Sequence, residues 1–195
     1  MSKIYYMMGK SSTGKDTLYK RIFGNEELQL KTVVLYTTRP IRDGEKEGVE
    51  YFFCNEKKVE ELEAAGKVIE RRDYNTIHGI WTYFTVDDGQ IDLENQDYLI
   101  IGTLESYHKI RDYYGKEVLI PIYIEVEDGE RLQRALNREK EQAIPKYEEM
   151  CRRFLADTKD FSEENLVKAE IDRRFMNRDL KETEEEIVAF IKSYK

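Results

Sequence analysis

The sequence predicts an α/β protein with a three-layer core around a parallel sheet. Three observations lead there. Tyr98–Ile101 and residues 118–126 are continuous apolar runs, the pattern of strands buried on both faces of a parallel sheet. A helical pattern follows each run, over 105–114 and 130–141. Near the start, a short apolar segment, a glycine-bearing turn and a helical segment make a further strand–helix unit.

In chain order, residues 3–8 read as the first strand and residues 15–23 as the helix after the turn. Residues 33–38 are β-branched and strand-like. Residues 49–53 and 80–86 mix aromatic and β-branched residues with polar ones and glycines, which predicts short antiparallel strands. Residues 57–65 form a polar helix that stops near Gly66. After the two buried strands and their helices come a charged helix at 146–159, a last strand within 170–176 and an amphipathic terminal helix at 183–194. The β-rich stretch around 33–90 interrupts the strand–helix alternation and reads as an insertion. No repeat or linker-like stretch divides the chain.

Composition bounds the function. The chain has 195 residues, 32 Lys+Arg against 40 Asp+Glu, and a net charge of −8. That length suits one domain able to bury a real core. The acidic balance argues against a nucleic-acid polymer as partner, but a small anionic ligand responds to a local site and not to net charge. No apolar run is long enough for a membrane span, and residues 1–10 lack a signal-peptide pattern, so no membrane partner and a cytoplasmic location are expected. Cys54 and Cys151 cannot build a disulfide framework, and with two histidines a Cys/His zinc site is not expected.

Strand, loop and helix meet at Gly9-Lys10-Ser11-Ser12-Thr13-Gly14-Lys15-Asp16-Thr17. The spacing fits the first seven positions of the phosphate-binding P-loop pattern G-x-x-x-x-G-K-[ST]. Backbone N–H groups of such a loop converge on phosphate oxygens, the helix N-terminus adds its dipole, and Lys15 reaches the outer phosphates. Asp16 stands where Ser or Thr normally meets Mg²⁺, so Asp16 or Thr17 is the metal-contacting candidate.

A second cluster is Tyr36-Thr37-Thr38-Arg39-Pro40-Ile41-Arg42-Asp43-Gly44-Glu45, followed by Gly48 and Tyr51-Phe52-Phe53. Two guanidinium forks around a stiffening proline suit phosphate oxygens. Together with the P-loop, this segment resembles the guanylate kinase family, with its T-T-R-x-x-R-x-G-E…G…Y-x-F signature.

The resemblance implies a P-loop three-layer core with a parallel sheet (1–32, 96–129 and 160–195), an inserted small β-rich acceptor-binding region (33–95) and a helical lid (130–159). It implies phosphoryl transfer from ATP, with Mg²⁺, to GMP or dGMP in purine nucleotide metabolism. Arg39, Arg42 and Tyr51 would hold the acceptor phosphate, and Tyr36 sits where the family often has a serine that also contacts GMP. Glu70, in Val68-Ile69-Glu70, would accept from the guanine N1–H and 2-amino group. Either His78-Gly79 or Tyr83-Phe84-Thr85 fills the family's Tyr-Gly-Ser position, with Tyr83 favoured for its phenol.

The family's two aspartates after the buried strand are replaced by Ile101 and Thr103, with Glu105 one turn on. Arg131, Arg134 and Arg138 share one helix face. By the resemblance, Arg134, Arg138 and one of Arg152 and Arg153 would close over ATP. Asn177-Arg178-Asp179 resembles a short polar segment near the adenine. A kinase of this fold with another acceptor, or a non-catalytic binding module, is the alternative. Either a monomer or a homodimer is compatible with the sequence.

Overall fold

A computed structural model of the protein describes residues 2–76 and 79–195. In chain order its elements are β1 (Ile4–Met8), α1 (Lys15–Phe23), β2 (Leu35–Thr37), β3 (Tyr51–Phe53), α2 (Glu56–Ala64), β4 (Val68–Thr76), β5 (Gly79–Val86), β6 (Tyr98–Ile101) and α3 (Leu104–Tyr114). They continue with β7 (Leu119–Glu125), α4 (Asp128–Lys140), α5 (Tyr147–Asp160), α6 (Glu163–Lys168), β8 (Arg174–Met176) and α7 (Leu180–Lys192).

The core sheet runs β6-β1-β7-β8 and every pairing in it is parallel. All five residues of β1 are buried, because the strand is inside the sheet and covered on both faces. Alternation sorts its side chains. Ile4, Tyr6 and Met8 pack with Tyr107, Ile110, Phe161 and Leu166 from the helices on one face. Tyr5 and Met7 pack with Leu18, Ile22, Ile187 and Ile191 of α1 and α7 on the other. These are the three layers that the apolar runs predict.

The smaller sheet runs β3-β2-β5-β4. Its one covered face holds Val59, Phe84 and Val86 with Tyr36 and Leu62 against α2. Three details differ from the sequence expectation. β3 pairs parallel, not antiparallel, with β2. The connection over residues 38–50 has the length of about a dozen residues that a parallel return requires. β4 extends over nine residues although most are polar, since Arg71 and Asp73 share one face, where Arg71 pairs with both Asp73 and Glu63. A short helix, α6, starts at Ser162, whose side chain accepts from the Asn165 N–H.

Candidate active site

The phosphate loop lies between β1 and α1 and is built under tight steric limits. A β-carbon at Gly9 would stand 2.5 Å from the Ile124 carbonyl oxygen, and one at Gly14 would stand 2.5 Å from the Asn177 side-chain nitrogen. Gly14 also has φ +83°, a left-handed value that glycine adopts freely. Asn177 is buried and donates from Nδ2 to the Thr13 carbonyl at 2.7 Å. The Thr13 hydroxyl in turn donates to the Lys10 carbonyl at 2.9 Å. Ser12 has φ 67°, and its buried hydroxyl has no hydrogen-bond partner among the described residues.

Not every loop residue is turned toward a ligand. Lys10 pairs with Asp128 at 3.2 Å. Desolvation would raise the Asp128 carboxyl, yet Lys10 and Arg131 outweigh it and hold the group below its ordinary value. The Ser11 N–H donates to Asp157 Oδ2 at 2.6 Å, so a phosphate oxygen would have to replace that carboxylate. Lys15 stands 3.4 Å from the exposed Asp16, and Thr17 follows, exposed, in the first turn of α1.

Lys15 lines a cleft cavity of about 580 Å³ with Gly9, Ser11, Thr103, Glu105 and Arg153. The two adjacent arginines of α5 diverge. Arg153 donates to the Ser11 hydroxyl at 3.3 Å, whereas Arg152 points away and pairs with Glu149 at 2.7 Å. On α4, Arg134 reaches Glu130 at 2.6 Å and the Asn177 carbonyl at 3.2 Å. Arg138 is exposed and borders a small cavity with Ser11, Ser12 and Arg153. Arg131 is buried, pairs with Asp128 and lies 3.9 Å over the Phe154 ring, which locks α4 to α5.

A second cavity, of about 370 Å³, adjoins the first at Tyr74, which borders both. Its walls are Leu35, Tyr51, Arg72, Tyr74, Trp81, Tyr83 and Ile101, from the open face of the small sheet and the end of β6. Tyr51 and Tyr83, and Tyr74 and Tyr83, meet edge to face. Burial pushes the Tyr51 phenol up. Arg39 is buried beside Tyr51, with its guanidinium 5.3 Å from the ring. Its fork is filled by Glu45, at 2.9 and 2.8 Å. Arg42 is exposed on the same turn.

Tyr36 does not share this face. The strand alternation turns it to the α2 side, where it packs on Phe52 and Phe84 and donates to Asp88 at 2.8 Å. The Tyr36 hydroxyl, expected at the acceptor, is thus engaged by Asp88 on the α2 side of the sheet. Glu70 is buried, but both its oxygens are engaged, by Arg72 and by Thr85. Arg72, on the cavity wall, was not singled out by the sequence; the signal available was only its place two residues beyond Glu70 on one strand face. The alternative at His78-Gly79 falls on His78, which lies outside the described residues.

Thr103 caps α3 by accepting from the Ser106 N–H, and Glu105 pairs with Lys109 at 2.9 Å. Gly102, just before Thr103, leaves room that a β-carbon would take, since one there would stand 1.9 Å from the Tyr6 hydroxyl. Among the described residues no three His, Cys, Asp or Glu side chains gather as a metal-binding group.

Residues 1–194 match the family model described as guanylate kinase. The guanylate kinase of Enterococcus faecalis is 37% identical over 68 residues, 35% of this chain and 33% of that protein. That of Streptococcus pyogenes serotype M3 is 39% identical over 66 residues, 34% of this chain and 31% of that protein. The matched stretch therefore spans about a third of the length of these curated relatives. The crystal structure of a guanylate kinase from Anaplasma phagocytophilum superimposes with a TM-score of 0.63 at 20% identity, covering 99% of this chain and 86% of that one. That likeness shows a shared fold.

Proposed function

The chain belongs to the guanylate kinase family, and we propose from that premise that it transfers the γ-phosphoryl group of ATP to GMP or dGMP. The observation that supports this reading is that two cavities adjoin at Tyr74. The phosphate loop opens on one, the aromatic wall and Arg72 on the other, and Tyr74 borders both. Two phosphate-bearing ligands placed there meet head to head.

In this reading Lys15 holds the outer phosphates of ATP, while Arg153, Arg134 and Arg138 face the transferred group. Arg42, the free edge of Arg39, Tyr51 and Tyr83 hold the acceptor phosphate. An oxygen of that phosphate attacks the γ-phosphorus, the bond to the β–γ bridging oxygen breaks, and ADP leaves. The acceptor phosphate already carries negative charge near neutral pH, so no general base is needed. The contribution of the protein is position and positive charge aimed at the transferring oxygens.

Mg²⁺ typically keeps several waters and takes one or two protein oxygens besides the nucleotide phosphates. Asp16 or Thr17, both exposed in the first turn of α1, would be its protein contact. When bound, the ion neutralises charge on the β- and γ-phosphate oxygens. A small-molecule reaction in the cytoplasm, by a monomer or homodimer, completes the reading.

The test is a coupled assay of ADP formation by the purified protein with a panel of nucleoside monophosphates. GMP and dGMP should be the preferred acceptors; equal or better rates with AMP, CMP and UMP would overturn the guanine assignment.

A further inference from the structure

We propose that Asp157 is a built-in competitor for the nucleotide phosphates: its carboxylate fastens α5 to the phosphate loop at the Ser11 N–H, and ATP binds by displacing it. This rests on the reading of residues 9–17 as the ATP site, and not on which acceptor is used.

Two adjacent loop residues are held from outside the loop. Lys10 Nζ stands 3.2 Å from Asp128 Oδ1, at the start of α4. The Ser11 N–H donates to Asp157 Oδ2, on α5, at 2.6 Å. Arg131 joins the two carboxylates, with Nη2 3.0 Å from Asp128 Oδ1 and Nη1 3.7 Å from Asp157 Oδ2. The contacts therefore run in a ring, from Lys10 through Asp128, Arg131 and Asp157 back to Ser11. The middle of that ring is fixed. Arg131 is buried, its guanidinium lies 3.9 Å from the centre of the Phe154 ring, and Nη2 also donates to the Thr158 hydroxyl at 3.3 Å.

The two α5 side chains that reach Ser11 act on a phosphate in opposite senses. Arg153 and Asp157 are four residues apart and share a helix face. Arg153 donates to the Ser11 hydroxyl at 3.3 Å and brings positive charge to the loop. Asp157 instead places a carboxylate on a backbone donor, in a loop whose N–H groups suit phosphate oxygens. Both side chains border the cleft cavity together with Lys15. Two anions at one donor repel each other, so a phosphate oxygen on the Ser11 N–H excludes the carboxylate.

The displaced group has somewhere to go. The Asp157 side chain is about a fifth exposed, so water reaches it, and Arg131 Nη1 stands at 3.7 Å, close enough to tighten onto it. The carboxylate that leaves the loop is thus not stranded, the arrangement that makes a broken ion pair costly. In the empty loop it returns and satisfies the Ser11 N–H. ATP binding is weakened by one charge-assisted hydrogen bond, less what Arg131 and water give back.

The experiment is calorimetric titration of the intact protein with ATP and Mg²⁺, and separately with inorganic tripolyphosphate, no acceptor being present. It compares the parent with Asp157→Ala and with Asp160→Asn. Asp160 borders the same cavity and accepts no hydrogen bond from the loop among the described residues, so its variant measures the general effect of removing a negative charge. Asp157→Ala should bind ATP at least about fivefold more tightly, while Asp160→Asn should change it by less than about twofold. Hydrogen exchange of the Ser11 amide in the nucleotide-free protein should be faster in Asp157→Ala than in the parent.

ATP binding that is unchanged in Asp157→Ala would overturn the proposal. Weaker binding would do so too, since it is the result expected if the carboxylate served a bound ion. An equal gain in Asp160→Asn would reduce the effect to overall charge, and an unchanged Ser11 amide would remove the contact itself; either overturns it. If Asp157→Ala does not fold, Asp157→Asn, which keeps the shape without the charge, carries the test with a gain of the same sign. If ATP binds neither parent nor variant, the nucleotide reading fails, and the tripolyphosphate titration decides this one by the same comparison.

Discussion

On α5, Arg152 pairs with Glu149 at 2.7 Å while Arg153 reaches 3.3 Å to the Ser11 hydroxyl on the phosphate loop. Consecutive helix residues project about 100° apart, so the docking of α5 decides which of them faces the cleft. Sequence narrows the choice to the pair and no further. Arg153→Ala should lower kcat by about a hundredfold, whereas Arg152→Ala, which removes only an exposed ion pair, should change it by less than about twofold; steady-state kinetics with ATP and GMP separate the two. Lys15→Ala should abolish ATP binding in calorimetry. Loss of turnover with ATP binding intact would place Lys15 elsewhere. The P-loop was legible because its chemistry is local: two glycines, a lysine and a strand–helix junction within a short stretch. Arg72 was not legible, because its part depends on its pairing with Glu70 along β4 and on which face of the small sheet stays open.

At the scale of elements, the turn between β2 and β3 is closed on itself by Arg39 and Glu45, with the Arg42 N–H adding a third bond to the same carboxylate at 2.8 Å. The Arg39 guanidinium, and then the Arg42 N–H, hold the Glu45 carboxyl below its ordinary value. Because the folded value is the lower one, the pair stabilises the fold fully above the ordinary glutamate value of about 4.3, and the contribution is lost as pH falls through the depressed value. Melting temperature measured from neutral pH down to about pH 3 should therefore fall less steeply in Glu45→Gln than in the parent. The same turn explains the misjudged pairing of β3. Aromatic and β-branched residues announce a strand, but direction follows from how the chain returns, and that is fixed by the closure of the turn. β4 gives no strand pattern in the sequence because its charges mimic a solvated loop; they are satisfied by Glu63, Glu70 and Thr82 once the sheet is formed.

Across the whole molecule, the parallel core was legible from its apolar runs, since a strand covered on both faces leaves little room for polar residues. The order of the strands was not, because the pattern of β1 does not say that its neighbours are β6 and β7. The molecule is acidic overall, yet Lys15 and Arg153 line one half of the cleft and Arg72 the other. Among the described residues no helix is long and apolar enough to cross a membrane. Asn177 joins opposite ends of the chain by its bond to Thr13. Asn177→Ala leaves a buried carbonyl without its donor, and should cost about 1–3 kcal/mol in denaturant unfolding and weaken ATP binding several-fold.

That bond also sets a schedule for synthesis. Thr13 and Asn177 are 164 residues apart, so at roughly 5–20 residues per second the ribosome makes them roughly 8–33 s apart. For about half of that interval β1 has no strand on either side, and β7 follows β6 later still. The loop is fastened in this way only once Asn177 has been made. A chain stalled in that interval leaves the apolar β1 unpaired, the kind of exposed surface that draws chaperones and proteases.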